Sequence, residues 1–254
     1  MPHNPPSLCI GTAGWALPRE VQHVFPGDGA HLERYARVLH CTEINTTFSR
    51  THRPDTFERW AAQTPDRFRF SVKMPKAFTH AARLDVPRAE VRAFVSSLEG
   101  LGERLGVLLM QLPPSLVFDG TVARAFFRSV RAGFPGAVVC EPRHASWYTA
   151  PASALLVHER IGRVAADPPK PAEAAEPGGW LGEHGDGRGA VVYYRWHGSP
   201  RMYWSAYGDA WLADKARALA HWPATTRVWC IFDNTASGAA ADDALRLAAH
   251  MGLR

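Results

Sequence analysis

The sequence predicts an α/β chain of the (β/α)8 TIM-barrel type, a parallel eight-stranded sheet ringed by helices. Three observations carry this. Short apolar, β-rich segments alternate with amphipathic helical ones along the whole chain. Eight such segments fit into 254 residues, a length that α/β barrels occupy as one domain. The first strand-to-helix turn, Gly11-Thr12-Ala13-Gly14, runs into Trp15, Pro18 and a long loop. It does not feed a helix directly, so the dinucleotide fingerprint of a doubly wound open sheet is absent.

In chain order the predicted strands cover residues 8–12, 41–45, 68–73, 107–111, 137–141, 163–167, 191–197 and 227–232. The predicted helices lie between them. Residues 32–39 carry apolar side chains at 32, 35, 36, 38 and 39, one face of a helix. Pro54 opens a helix over 54–60, in the first turn where proline is tolerated. Helical patterns follow at 87–98, 122–130, 152–160, 211–222 and 242–251. Residues 168–189, between the sixth and seventh strands, hold Pro, Gly and little apolar material. They read as a long mobile loop with at most one helical turn. The reading is one barrel domain over 1–254.

Composition narrows the setting. With 46% hydrophobic and 21% charged residues the chain is ordinary globular material. No run of 18 apolar residues predicts a membrane span. Met1-Pro2-His3-Asn4-Pro5-Pro6 lacks a secretory pattern. Cys9, Cys41, Cys140 and Cys230 have no metal-ligand spacing and lie in or beside apolar segments. They read as free core thiols of a cytoplasmic protein. The formal charge is +5, yet of 29 basic side chains only four are Lys, and none form a run. That is compositional drift toward Arg rather than a nucleic-acid surface.

The strand ends point to function, because a barrel of this type carries its chemistry at the C-terminal ends of its strands. Glu43 and Asn45 end strand two; Lys73 ends strand three, with His80 in its loop; Gln111 ends strand four. Glu141, Arg143 and His144 end strand five; Asp167 ends strand six; Arg195 and His197 end strand seven; Asp233 and Asn234 follow strand eight. The opposite ends carry little comparable chemistry. Glu43 with Asn45, Glu141 with Arg143 and Arg195 with His197 are each two apart, so each pair shares a strand face. Carboxylates, guanidinia and imidazoles so crowded suit acid/base work. The plainer alternative is an ion-pair layer closing the barrel top. Lys73, scarce in type, reads first as an anion anchor and second as a Schiff-base amine. Tyr203 lies in an aromatic loop that either stacks on a ligand or packs as a lid.

Several segments carry a family resemblance. They are Gly11-Thr12-Ala13-Gly14-Trp15, Glu43-Ile44-Asn45-Thr46-Thr47-Phe48, and the run from Phe70 to His80. Further along come Leu109 to Ser115, Glu141-Pro142-Arg143-His144-Ala145-Ser146-Trp147, Tyr194 to Gly198 and Phe232-Asp233-Asn234. Over nearly its whole length the sequence resembles the YecE-like family, domain of unknown function 72. The resemblance implies a TIM-type barrel and a pocket formed by Trp15, Glu43, Asn45, Lys73, His80, Gln111, Glu141, Arg143, His144, Trp147, Asp167, Arg195, His197 and Asn234. Ser49 stands where the family usually has Tyr, and Asp233 and Asp243 where amides are commoner.

The expectation is an enzyme performing acid/base chemistry on a small anionic, sugar-like or phosphorylated molecule. Glu43, Lys73, Glu141, Asp167 and His197 are the catalytic candidates. Trp15, Asn45, His80, Gln111, Arg143, His144, Trp147, Arg195, Tyr203 and Asn234 are the binding candidates. Neither a cofactor nor a metal ligand motif is indicated. Two rivals stay open: a metal-dependent phosphodiester hydrolase, and a non-catalytic protein binding a small molecule or nucleic acid.

Overall fold

The fold is described from a computed structural model, for residues 6–253. The Met1–Pro5 part of the N-terminal reading and Arg254 lie outside the described residues. Ten strands form one sheet: β1 Ser7–Ala13, β2 Cys41–Ile44, β3 Arg69–Lys73, β4 Leu105–Gln111, β5 Ala137–Glu141, β6 Ile161–Arg163, β7 Ala165–Asp167, β8 Gly178–Gly179, β9 Ala190–Trp196 and β10 Thr226–Phe232. Their order is β7-β9-β10-β1-β2-β3-β4-β5-β6-β8. Every pairing is parallel except β6 with β8. β7 at one end of this order and β6, next to the other end, flank a single residue, Val164, whose N–H donates to the Cys140 carbonyl at 2.9 Å. The sheet is therefore nearly closed and barrel-shaped.

This corrects the expected eight parallel strands: the sheet has ten and is mixed. The sixth predicted run changes partner at Val164, pairing first with β5 and then with β9. The Gly-rich loop adds β8 against β6. Glycine is required there, because Gly179 has φ +64° and a Cβ on it would lie 2.5 Å from the Ile161 carbonyl. The 168–189 loop is also tied down more than its composition suggests. It contains a 3-10 turn at Ala172–Ala175, and Ala174 and His184 are buried.

Helices α1 His31–Ala36, α2 Pro54–Ala62, α3 Arg88–Ser97, α4 Gly120–Gly133, α5 Ala150–His158, α6 Asp209–Leu219 and α7 Ala239–His250 fill the connections. In α4 the buried face is Ala123, Phe126, Phe127 and Val130, and Asp119 caps its start by accepting from the Thr121 and Val122 N–H groups. Strands covered on both faces read as near-continuous apolar runs. Their alternate residues part into two cores. Phe70, Val72, Leu108, Met110, Val138 and Phe232 pack outward with the helices. Cys41, Val107, Leu109, Val139, Tyr193, Trp229 and Ile231 form the inner core. Gly106 makes room for the Trp229 ring, which a Cβ would meet at 2.6 Å. No helix among the described residues is long and apolar enough to cross a membrane.

Candidate active site

The inward parity of each strand decides which side chains reach the mouth. On β9 the series Val191, Tyr193, Arg195 continues to His197; on β10, Trp229 and Ile231 continue to Asp233. Glu43, Lys73, Gln111 and Glu141 are the corresponding members of β2 to β5, and all seven mouth residues are buried. At the centre Arg195 is 0% exposed. Its Nε and Nη2 donate to Glu43 at 3.0 and 2.8 Å, its Nη1 to Glu141 Oε2 at 2.5 Å, and its Nη2 also to Asp233 Oδ2 at 2.9 Å. His197 bridges two of the same carboxylates, with Nε2 3.0 Å from Glu141 and Nδ1 3.1 Å from Asp233. Arg143 Nε adds a bond to Glu141 at 3.0 Å, and the Tyr193 hydroxyl donates to Glu43 at 3.0 Å.

These contacts set the protonation states. Burial alone would raise the Glu141 pKa, but Arg195, Arg143 and His197 outweigh it and hold it well below the usual range. Asp233 is lowered in the same way, burial being overcome by Arg195 and His197. Burial would lower His197, yet Glu141 and Asp233 raise it, which favours an imidazolium between two carboxylates. Lys73 differs. Burial, then Arg195, pulls its pKa down to about 8 against the pull of Glu43, Asp233 and Glu141. Among the described residues none offers its Nζ a hydrogen bond or ion pair; the amine sits 4.2 Å over the Phe48 ring.

Around Lys73 the rim is polar. His80 lies on a single π-helical turn, Ala77–Ala81, with Nδ1 2.9 Å from the Thr79 hydroxyl and its ring edge-on to Phe48. Burial and the nearby Lys73 and Arg143 lower its pKa. Arg143 Nη1 donates to the Tyr203 hydroxyl at 2.8 Å. Tyr203 sits at φ +65° with its ring edge-on to His197, a costly backbone for a bulky residue. A cavity of about 180 Å³ opens beside this cluster, lined among others by Pro114, Glu141, Arg143, Lys170, His197 and Met202.

Not every expected residue joins the cluster. Trp147 is buried in the core, its Nε1 donating to the Leu116 carbonyl and its ring packed on Phe118. His144 caps the following 3-10 turn, its Nδ1 accepting from the Ser146 N–H. Trp15 packs edge-on against Trp60 and Phe70. Asp167 accepts from the Tyr207 hydroxyl at 2.8 Å, and Asn234 donates to Asp243 at 2.7 Å and to the Ser205 carbonyl. Asn45 reaches Asp233 only at 3.5 Å. Asp233 and Tyr193 are central but outside the predicted set; parity from Trp229 and Arg195 would have found both. The opposite strand ends are not bare either: Arg69 and Arg227 stand there. Among the described residues no group of three or more His, Cys, Asp or Glu is disposed for a metal. The carboxylates converge on a guanidinium instead.

Fold and site together define a barrel-shaped α/β protein with a buried ion-pair cluster at one end of its sheet. The family described as "Protein of unknown function DUF72" matches residues 9–254, and the chain belongs to it. It is 36% identical over 106 residues to UPF0759 protein YecE of Escherichia coli, a match spanning 42% of this chain and 38% of that protein. Two solved DUF72 family structures share the fold. One, from Enterococcus faecalis, has TM-score 0.78 at 19% identity, covering 97% of this chain and 96% of the other. The second, from Thermotoga maritima, has TM-score 0.73 at 22% identity, covering 97% and 99%.

Proposed function

We propose that this chain is an enzyme using the polar pocket at its C-terminal strand ends for acid/base chemistry on a small anionic, sugar-like or phosphorylated substrate. The observation that carries the reading is Lys73. Three carboxylates, Glu43, Glu141 and Asp233, are matched by Arg195, Arg143 and the His197 imidazolium, which leaves the Lys73 ammonium over. A partly desolvated, unpaired cation attracts an anion, and a pKa near 8 suits proton donation at neutral pH. Lys73 would fix the anion and protonate it, with Arg143, His80 and Gln111 orienting it. Glu141, His197 and Asp233 would relay the proton, and Glu43 would hold Arg195. Asp167, engaged by Tyr207, is a positioning group.

The same reading treats the sheet as a TIM-type (β/α)8 barrel over one domain. Counted as one strand, β6 and β7 with Val164 between them leave eight once the two-residue β8 is set aside. A cytoplasmic setting follows from four unpaired thiols. The metal-dependent and nucleic-acid rivals gain no support from a donor set occupied by guanidinia.

The test begins with native mass spectrometry to identify a bound small molecule, then measures turnover on it. Lys73→Ala should raise KM and cut kcat by about 10²-fold or more, whereas Lys73→Arg should keep KM and lose kcat. For the native enzyme kcat/KM should fall as pH rises through about 8. Unchanged turnover in Lys73→Ala and Glu141→Gln refutes the assignment. Borohydride trapping of substrate on Lys73 replaces proton donation by a Schiff base.

A further inference from the structure

The parity that lines the mouth has a counterpart at the other end of the sheet. Two residues before Trp229 the inward position is Arg227, and two before Ser71 it is Arg69. Arg67 and Arg188 stand just before β3 and β9, and His40 just before β2. Because β9, β10, β1, β2 and β3 are neighbours in the sheet, these groups meet. They line a cavity of about 390 Å³ with the β1 residue Cys9 on its wall, a volume typical of small-ligand sites.

The charges here are not cancelled as they are at the mouth. Arg188 pairs with Glu103, while Asp66 is taken by Arg104. Arg69 donates to the backbone carbonyls of Asp66 and Phe68. Arg227 reaches Asp186 only at 3.7 Å, and its buried Nε and Nη2 have no hydrogen-bond partner among the described residues. Arg67 is exposed and has no ion pair among the described residues. Burial and repulsion from Arg188 and Arg104 lower the Arg69 pKa, and Arg227 and Arg69 in turn help to lower that of Cys9, after the Cys41 hydrogen bond and against burial. Guanidinia gathered at this density with open donors match phosphate geometry.

We infer that the N-terminal end of the barrel is a second site, which takes a small molecule bearing a phosphate or diphosphate through Arg67, Arg69, Arg188 and Arg227. Occupancy would supply the acceptors that Arg227 lacks and would cover Cys9.

Cys9 makes the site readable by position, since the other three thiols are buried. Alkylation of Cys9, to the carboxymethyl thioether by anionic iodoacetate and to the carbamidomethyl thioether by neutral iodoacetamide, is followed by mass spectrometry on the whole protein. Relative to a cysteine peptide, the iodoacetate rate should be favoured by about tenfold. Millimolar pyrophosphate should slow both reagents several-fold, and ADP should do so more strongly if the natural ligand is a nucleotide. Arg67→Glu, at an exposed position that folding tolerates, should weaken this protection, and Arg227→Met should abolish it where Arg227→Lys retains part. Lys73→Ala should leave it intact. Equal reagent preference with no pyrophosphate protection overturns the inference. So does protection lost in Lys73→Ala, or protection by duplex DNA where pyrophosphate gives none.

Discussion

Lys73 is the residue at which stability and proposed function pull apart. A lysine whose pKa falls from 10.5 to about 8 on folding costs stability while it is charged in both states. That cost is fully present below about pH 8, shrinks as pH rises toward 10.5, and is gone above it. For a side chain 7% exposed the cost is about 3 kcal/mol. Lys73→Met should therefore stabilise the protein at pH 7 by up to that amount. Urea titrations at pH 7 and pH 10.5 check this, and the gain should vanish at the higher pH. A variant no more stable than the native chain at pH 7 would mean that the amine is solvated after all. Arg195 is the opposite case. Its positive charge satisfies three buried carboxylates at once, so its removal would strand all three.

Among the elements, the tightest constraint lies between β1 and β2. A Cβ on Gly11 would stand 2.0 Å from the Cys41 carbonyl oxygen, a backbone atom with no freedom to move aside. Gly11→Ala should push the two strands apart and cost at least about 3 kcal/mol. Thermal unfolding reports this, and a Tm within a degree or two of the native value would refute it. Strand parity made much of the site legible. Glu141 with Arg143 and Arg195 with His197 do converge, because a period of two is a local property of extended chain. Asn234 entered the expected set through the family resemblance, whereas parity is what places Asp233 on Arg195. Trp147 and His144 escaped because a 3-10 turn folds the segment after β5 back into the core and onto its own backbone. The break at Val164 was not legible at all, since it arises where the last pairing closes the sheet, and no local pattern encodes a change of partner.

Over the whole molecule, the mouth cluster links folding to pH from both sides. Glu141 and Asp233, lowered on folding from 4.5 and 3.8, add stability above those values that is lost as pH falls through their folded ones. His197, raised from 6.5, adds stability fully present below 6.5 and lost as pH climbs through its raised value. The two contributions overlap in a window from about pH 5 to 6.5, where three carboxylates face Arg195, Arg143 and a charged imidazole. His197→Asn should keep the side chain's bulk and polarity in part but remove the charge. Its loss of stability should be greatest near pH 5.5, about 1 to 3 kcal/mol for hydrogen bonds to charged groups, and should dwindle toward pH 9. A loss that is the same at both pH values would assign His197 a packing role only.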